Sequence, residues 1–405
     1  MRLGRGAPGA PPMRNIPATV WRLTIAYSLM MAGTSLMVLL AGIIGVEFAP
    51  TTELATLPIA LVVVGLAAST LPTGKLLGRF GRRRVFIAYG CLAVAAALAA
   101  AWSLAADAFA GFCGAALLMG WAGAAGHQYR FAALEAVPAE LAPKATSILL
   151  FGGILAAFIG PEIAVRGRHL LATEYAGSFV LLTLSYLAGI VLISFHRDRI
   201  RLETTPEGAG RPLRVIMRSP IVIVAVCAAA IGYGVMSLLM TATPISMHTH
   251  AGHSLESTKF VIQSHIAAMY LPSLLYAGLF RRLGFAGMLG LGLALYLLCL
   301  ALAARDTDFL NYWSALVLLG IGWNFLFLSG TNLLPYGYRP HERFRVQSAN
   351  DFLVFSVQAI ASLGSGWILY HWQWQGIIYA CLPFVLGFTA LLTAYRIKLK
   401  NINNI

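Results

Sequence analysis

Apolar residues in this chain run on for twenty positions and more, parted by short polar stretches, with neither the alternation of a half-buried strand nor the single stripe of a surface helix. A helix rises 1.5 Å per residue, so about 20 apolar residues cross a hydrocarbon core of roughly 30 Å. Twelve runs qualify, at about 19–46, 54–77, 85–106, 108–132, 146–165, 175–195, 220–243, 258–280, 284–304, 309–333, 347–370 and 374–395. Pro and Gly inside several of them are tolerated where neighbouring helices satisfy the freed backbone.

The polar stretches alternate in charge. All but four of the 29 Lys and Arg fall on one side; the other side has only Arg166, Arg168, Lys259 and Arg305. This asymmetry places both termini and the central loop in the cytoplasm, which requires an even number of spans. The longest linker, His196 to Ser219, is basic and punctuated by Pro and Gly, with six spans on either side. The expected organisation is therefore a first six-helix bundle over 1–195, a cytoplasmic loop over 196–219 and a second six-helix bundle over 220–405. The second helix of each half also ends alike, LPTGKLLGRFG and LPSLLYAGLFRRLG.

Composition agrees with a bilayer as solvent: 59% of residues are apolar and 11% charged, with a mean hydropathy of +0.77. Soluble domains carry about a quarter charged residues. A net charge of +14 would point to nucleic acid in a soluble protein. Here the cations read as a topology signal, and no nucleic-acid partner is expected. The basic N-terminus, MRLGRGAPGAPPMRNIP, leads into the first run without a convincing cleavage site, so that run is expected to be a retained helix. Cys91, Cys113, Cys227, Cys299 and Cys381 all sit inside apolar runs without paired spacing and read as packing residues.

Between the second and third runs the chain reads GKLLGRFGRRR, from Gly74 to Arg84. This resembles the signature loop of the major facilitator superfamily, GxLaDRxGRR, with Gly74, Arg79, Gly81, Arg82 and Arg83 on matching positions. The resemblance implies an all-α membrane fold of twelve helices in two six-helix bundles, with this loop as a conformational latch. The usual Asp is Gly78 here, which removes one charge partner of that latch. A purely topogenic basic loop is the plainer reading. The end of the fourth run, YRFAALEAVPAEL, sets Arg130 near Glu135 and Glu140, an expected gate network at the cytoplasmic face.

Mid-membrane charge is scarce, since Glu162 and Asp351 lie near span ends, while Asn324 and Gln358 are neutral. Sulfur and imidazole stand out instead. Helix seven has Met236 and Met240, and helix eight has His265 and Met269. Residues four apart share a helical face. Taken as antiparallel neighbours, the two helices put Met240 level with His265, and Met236 level with Met269 one turn deeper. Neutral thioether and imidazole ligands suit Cu(I) better than hard cations. Methionine is equally a flexible core filler, and the residues alone leave both readings open.

The combination of Met-x-x-x-Met on helix seven with His-x-x-x-Met on helix eight resembles the CcoA-type copper importers of the same superfamily. That resemblance implies a multi-pass protein of the bacterial cytoplasmic (inner) membrane that takes up copper by alternating access for assembly of cbb-type cytochrome c oxidase. Met236, Met240, His265 and Met269 would be the metal ligands. Copper would be cargo, with no permanently bound cofactor, and cytoplasmic copper-accepting proteins would be partners alongside the lipid bilayer. Cys227 would aid release or simply pack. Met247, His248, His250 and His253 in the following loop form a candidate metal entrance, or a solvated polar loop. No nucleophile–base pair or phosphate loop marks an enzyme. The alternative is a transporter of a small organic molecule, for drug efflux or nutrient uptake, whose aromatic and Met residues would line an apolar cavity. The Gly160–Pro161 kink in the fifth run echoes antiporters of this kind. A further class keeps the fold as a sensor or assembly factor without transport.

Overall fold

The computed structural model describes residues 16–129, 132–133, 136–137, 142–196 and 210–402. It is built of helices: α1 (Ala18–Phe48), α2 (Leu57–Phe80), α3 (Arg82–Ala105), α4 (Phe109–Gly123), α5 (Ala142–Gly167), α6 (Ala176–Ser194) and α7 (Pro220–Pro244). Then come α8 (Leu255–Tyr270, resuming over 273–283), α9 (285–303), α10 (Phe309–Leu333), α11 (343–372) and α12 (374–402). The last two pairs look continuous but break at Gly284 (φ 60°) and Gln373 (φ 55°), where the backbone leaves the helical region. Among the described residues the chain thus has twelve long helices, and it is an all-α, multi-pass membrane protein.

Local sequence explains the ends. Asp308 caps α10 by accepting from the Asn311 amide at 2.7 Å, and Ser254 caps α8 by accepting from Ser257 at 3.1 Å. Between α2 and α3 the chain turns on Gly81, whose φ of 80° a side chain disfavours. The tight turn expected of the GKLLGRFGRRR segment is present there. Arg82 donates to the Gln128 carbonyl at 3.4 Å, while a side chain at Gly78 would meet open space. Arg130 and Glu135, the expected gate pair, lie outside the described residues, as does Glu140.

Within the first half α1 packs on α5 and α6, α2 on α4, and α3 on α6; within the second, α7 packs on α11–α12 and on α10, and α10 on α8 and α9. The halves meet where α5 faces α8 and α2 faces α11. Lys259 Nζ on α8 pairs with Glu162 Oε1 on α5 at 2.8 Å, and Tyr270 lies over Gly153. Tyr27 on α1 hydrogen-bonds to Tyr270. Large apolar side chains on the outside, such as Leu274 and Ile360, are the lipid-facing surface of such a protein.

A candidate substrate site around α10

Helices α7 and α8 were expected as packed neighbours. They do not pack along each other; α10 stands beside both. The cause is local. A Cβ on Gly320 would come within 2.6 Å of the His265 carbonyl oxygen, so the missing side chain lets α8 close in on α10. α7 meets α10 through Tyr233 on Trp323 and Gly232 against Leu326. At 3.6 residues per turn these contacts lie roughly 90° apart around α10. With interaxial distances near 9 Å, the axes of α7 and α8 are then about 13 Å apart. Side chains of Met and His length reach into such a gap from both sides.

Using α10 as a ruler gives the heights. From Tyr233 against Trp323, antiparallel α7 brings Met236 near the level of Gly320 and Met240 near Leu316. His265 Nδ1 lies 2.7 Å from the Leu316 carbonyl, and the Met269 carbonyl accepts from Asn324 Nδ2 at 2.7 Å. Met240 and His265 therefore share one level, and Met236 and Met269 the next. Met236, Met240 and His265 are buried, and Met269 is half-buried.

His265 is the informative member. A carbonyl can only accept, so Nδ1 carries the proton in that bond and the neutral ring presents a bare Nε2 lone pair. That Nε2 is buried and has no hydrogen-bond partner. An orphaned buried acceptor is rare enough to mark a ligand position. The indole N–H of Trp323, the Asn324 Oδ1 and the Gln358 Oε1 are buried and unpartnered in the same way. Beside them stands an aromatic cluster. Trp323 and Phe327 stack at 4.9 Å, Tyr233 meets both edge-on, and Phe355 on α11 packs against Tyr233 at 5.9 Å. His127 of the first half reaches the Phe355 ring at 5.6 Å.

The candidate entrance is dispersed. Met247 is fully buried in a π-helical turn over Ile245–His250, and His250 is exposed. His248 Nδ1 is bonded to the His253 carbonyl and His253 Nε2 to the Thr307 carbonyl, both at 2.8 Å. Cys227 is half-buried near the far end of α7. The aromatic cluster was not singled out in the sequence; its signal was aromatic residues at mid-span of helices seven, ten and eleven.

Two packed halves of long apolar helices are the architecture of a carrier, and sequence comparison decides the family. The Major Facilitator Superfamily model matches residues 23–362. The chain belongs to the major facilitator superfamily. It is 35% identical over 366 residues to the riboflavin transporter RfnT of Brucella anthropi, covering 90% of this chain and 92% of that protein. It is 31% identical over 382 residues to the uncharacterized MFS-type transporter YdeG of Bacillus subtilis, covering 89% and 86%. Among solved structures, a mutant of the nucleoside transporter NupG aligns with a TM-score of 0.75 at 12% identity, over 93% of this chain and 99% of that one. A bacterial homologue of the iron transporter ferroportin, outward-facing, aligns with a TM-score of 0.63 at 16% identity, with the same coverage of 93% and 99%. At those identities the two structures speak for the fold alone.

Proposed function

We propose that this transporter carries a small, uncharged heteroaromatic molecule of the flavin kind across the membrane by alternating access. The observation that carries the reading is the aromatic cluster of Tyr233, Trp323, Phe327 and Phe355 with unpartnered hydrogen-bonding atoms beside it. Planar rings stack on such a cluster. The orphaned set has one donor, Trp323 Nε1, and three acceptors, His265 Nε2, Asn324 Oδ1 and Gln358 Oε1, which suits a ring edge rich in N–H and C=O groups. The similarity to a riboflavin transporter over nearly the whole chain supports the same class. The loop charges support a cytoplasmic location for both termini.

A second reading, copper uptake, is favoured by one separate observation. His265 is anchored through Nδ1 with Nε2 bare at the level of Met240, and anchoring the second nitrogen to a carbonyl is how a metal-binding imidazole is commonly held. Thioethers at two levels complete a soft donor set.

One experiment separates the two: uptake of labelled riboflavin and of labelled copper in cells lacking their own importers, for wild type, Met240→Ala and His265→Ala at equal membrane abundance. The flavin reading expects riboflavin uptake without copper uptake. Copper uptake abolished in both variants would establish the second reading. Neither solute moving would reject both.

A further inference from the structure

A small cavity lies in the first half. Its walls include Met30, Met31 and Thr34 of α1, Met119 of α4, Tyr186 of α6, and Tyr129 just beyond α4. The free volume is about 10 Å³, room for one water-sized group. No lining residue is charged, and three thioethers surround the space, so a charged group would be desolvated there without compensation.

The two tyrosines supply the chemistry. Tyr129 and Tyr186 are 2% and 3% exposed, and neither hydroxyl has a hydrogen-bond partner among the described residues. The Tyr186 hydroxyl sits so close to α1 that a Cβ on Gly33 would lie 1.7 Å from it. A phenol can donate and accept, so two of them around one water-sized space match a group that also does both. An alcohol hydroxyl does; a carbonyl or an N–H does only one.

The mouth faces the other half. Thr34 is exposed and lies seven residues, nearly two turns, from Tyr27, on the face of α1 that hydrogen-bonds to Tyr270 of α8. Gly126 lines the cavity, and the next residue, His127, touches Phe355 of the aromatic cluster. We infer that this cavity receives one hydroxyl from the tail of the substrate, whose ring stacks in the second half. The substrate class narrows to a heteroaromatic ring carrying a neutral polyol chain. This rests on the flavin reading above.

The test uses riboflavin and lumiflavin, which share the ring while lumiflavin has a methyl group in place of the polyol tail. Uptake into proteoliposomes would be measured for wild type, Tyr186→Phe, Tyr129→Phe and Thr34→Leu at the mouth. Wild type is expected to favour riboflavin. Each Tyr→Phe variant should raise the riboflavin KM roughly 3- to 10-fold, the range for losing one hydrogen bond, and leave lumiflavin unchanged. Should the Tyr variants lose both substrates through misfolding, Thr34→Leu decides by the same selective loss. Riboflavin and lumiflavin affected alike by Thr34→Leu, or a riboflavin KM unmoved by every variant, would overturn the subsite while leaving the flavin reading intact. Wild type taking up neither flavin would overturn the flavin reading, and the subsite with it.

Discussion

Methionines gather in two places in this chain, and the polar atoms beside the sulfur set the places apart. In the second half Met236, Met240 and Met269 stand with His265 and Asn324, each of which spends its donor on a backbone carbonyl, of Leu316 and of Met269. What remains in each is an acceptor held in one direction. In the first half Met30, Met31 and Met119 surround two phenols that no hydrogen bond among the described residues fixes, whose hydroxyls turn to suit a partner. A fixed acceptor selects an N–H, an O–H or a metal ion by position, whereas a free hydroxyl accepts a hydroxyl in several orientations. Sulfur is common to both places and discriminates neither, as expected of a side chain that fills irregular space.

The comparison breaks most sharply at Trp323. It stacks on Phe327 and meets Tyr233 edge-on, so Trp323→Ala removes the largest wall of the cluster. Loss of a stacking aromatic is worth about 2 kcal/mol, roughly a 30-fold rise in KM. Because the ring is common to both flavins, riboflavin and lumiflavin should suffer alike, in contrast to the tail-selective effect at Tyr186. An unchanged KM for both would reduce the cluster to core packing. A selective loss of riboflavin would assign the tail to the wrong half.

A smaller effect is expected where the two halves are tied together. Lys259 of α8 reaches Glu162 of α5 at 2.8 Å and Glu256 at 2.6 Å, with Arg166 on the same Glu162 at 3.2 Å. Lys259 has a side chain 12% exposed and Glu162 one 37% exposed, so solvent screens the pair in part. Its worth is accordingly about 1 kcal/mol, near fivefold in an equilibrium between closed and open forms on that face. Glu162→Gln is expected to change the transport rate by up to about fivefold at unchanged KM. Lys259→Met should give a change of the same size, and adding it to Glu162→Gln should change the rate little further. A rate shift in Glu162→Gln with none in Lys259→Met would assign the effect to Glu162 alone.

The fold was legible because hydrophobicity over twenty residues is a local property. Both non-helical breaks, at Gly284 and Gln373, fall where the apolar runs were divided. The heights of the Met and His side chains were legible too, because turn counting along a helix needs no tertiary knowledge. Which helices touch was not. α8 closes in on α10 because one position, Gly320, has no side chain, and that matters only once another helix arrives there. The bare Nε2 of His265 depends on a carbonyl 51 residues away, and the phenol pair joins Tyr129 to Tyr186 across three-dimensional space. A pattern reading ranks rare residue types such as mid-membrane His and passes over tyrosines, which are common in membrane helices.

The smallest effect on transport belongs to a contact between the central loop and the second half. The Glu342 carboxylate, buried in the α10–α11 connection, accepts from the Arg211 guanidinium at 2.7 and 3.0 Å and from the backbone amides of Arg211 and Arg339. The Arg211 guanidinium, helped by those amides, holds the Glu342 carboxyl well below the usual carboxylate range. A depressed folded pKa stabilises the fold above the ordinary carboxylate value of about 4.3 and loses that contribution only as pH falls through the folded value. Arg211→Ala raises the folded pKa toward the ordinary one, so stability should drop near neutral pH and become less dependent on pH at its acid end. Riboflavin KM should not move, since neither residue faces the cluster or the phenol cavity. Thermal unfolding in detergent from pH 7 downward checks the sign: a gap between wild type and variant that narrows toward acid pH supports the clamp, and a constant gap assigns the loss to packing of the Arg211 side chain.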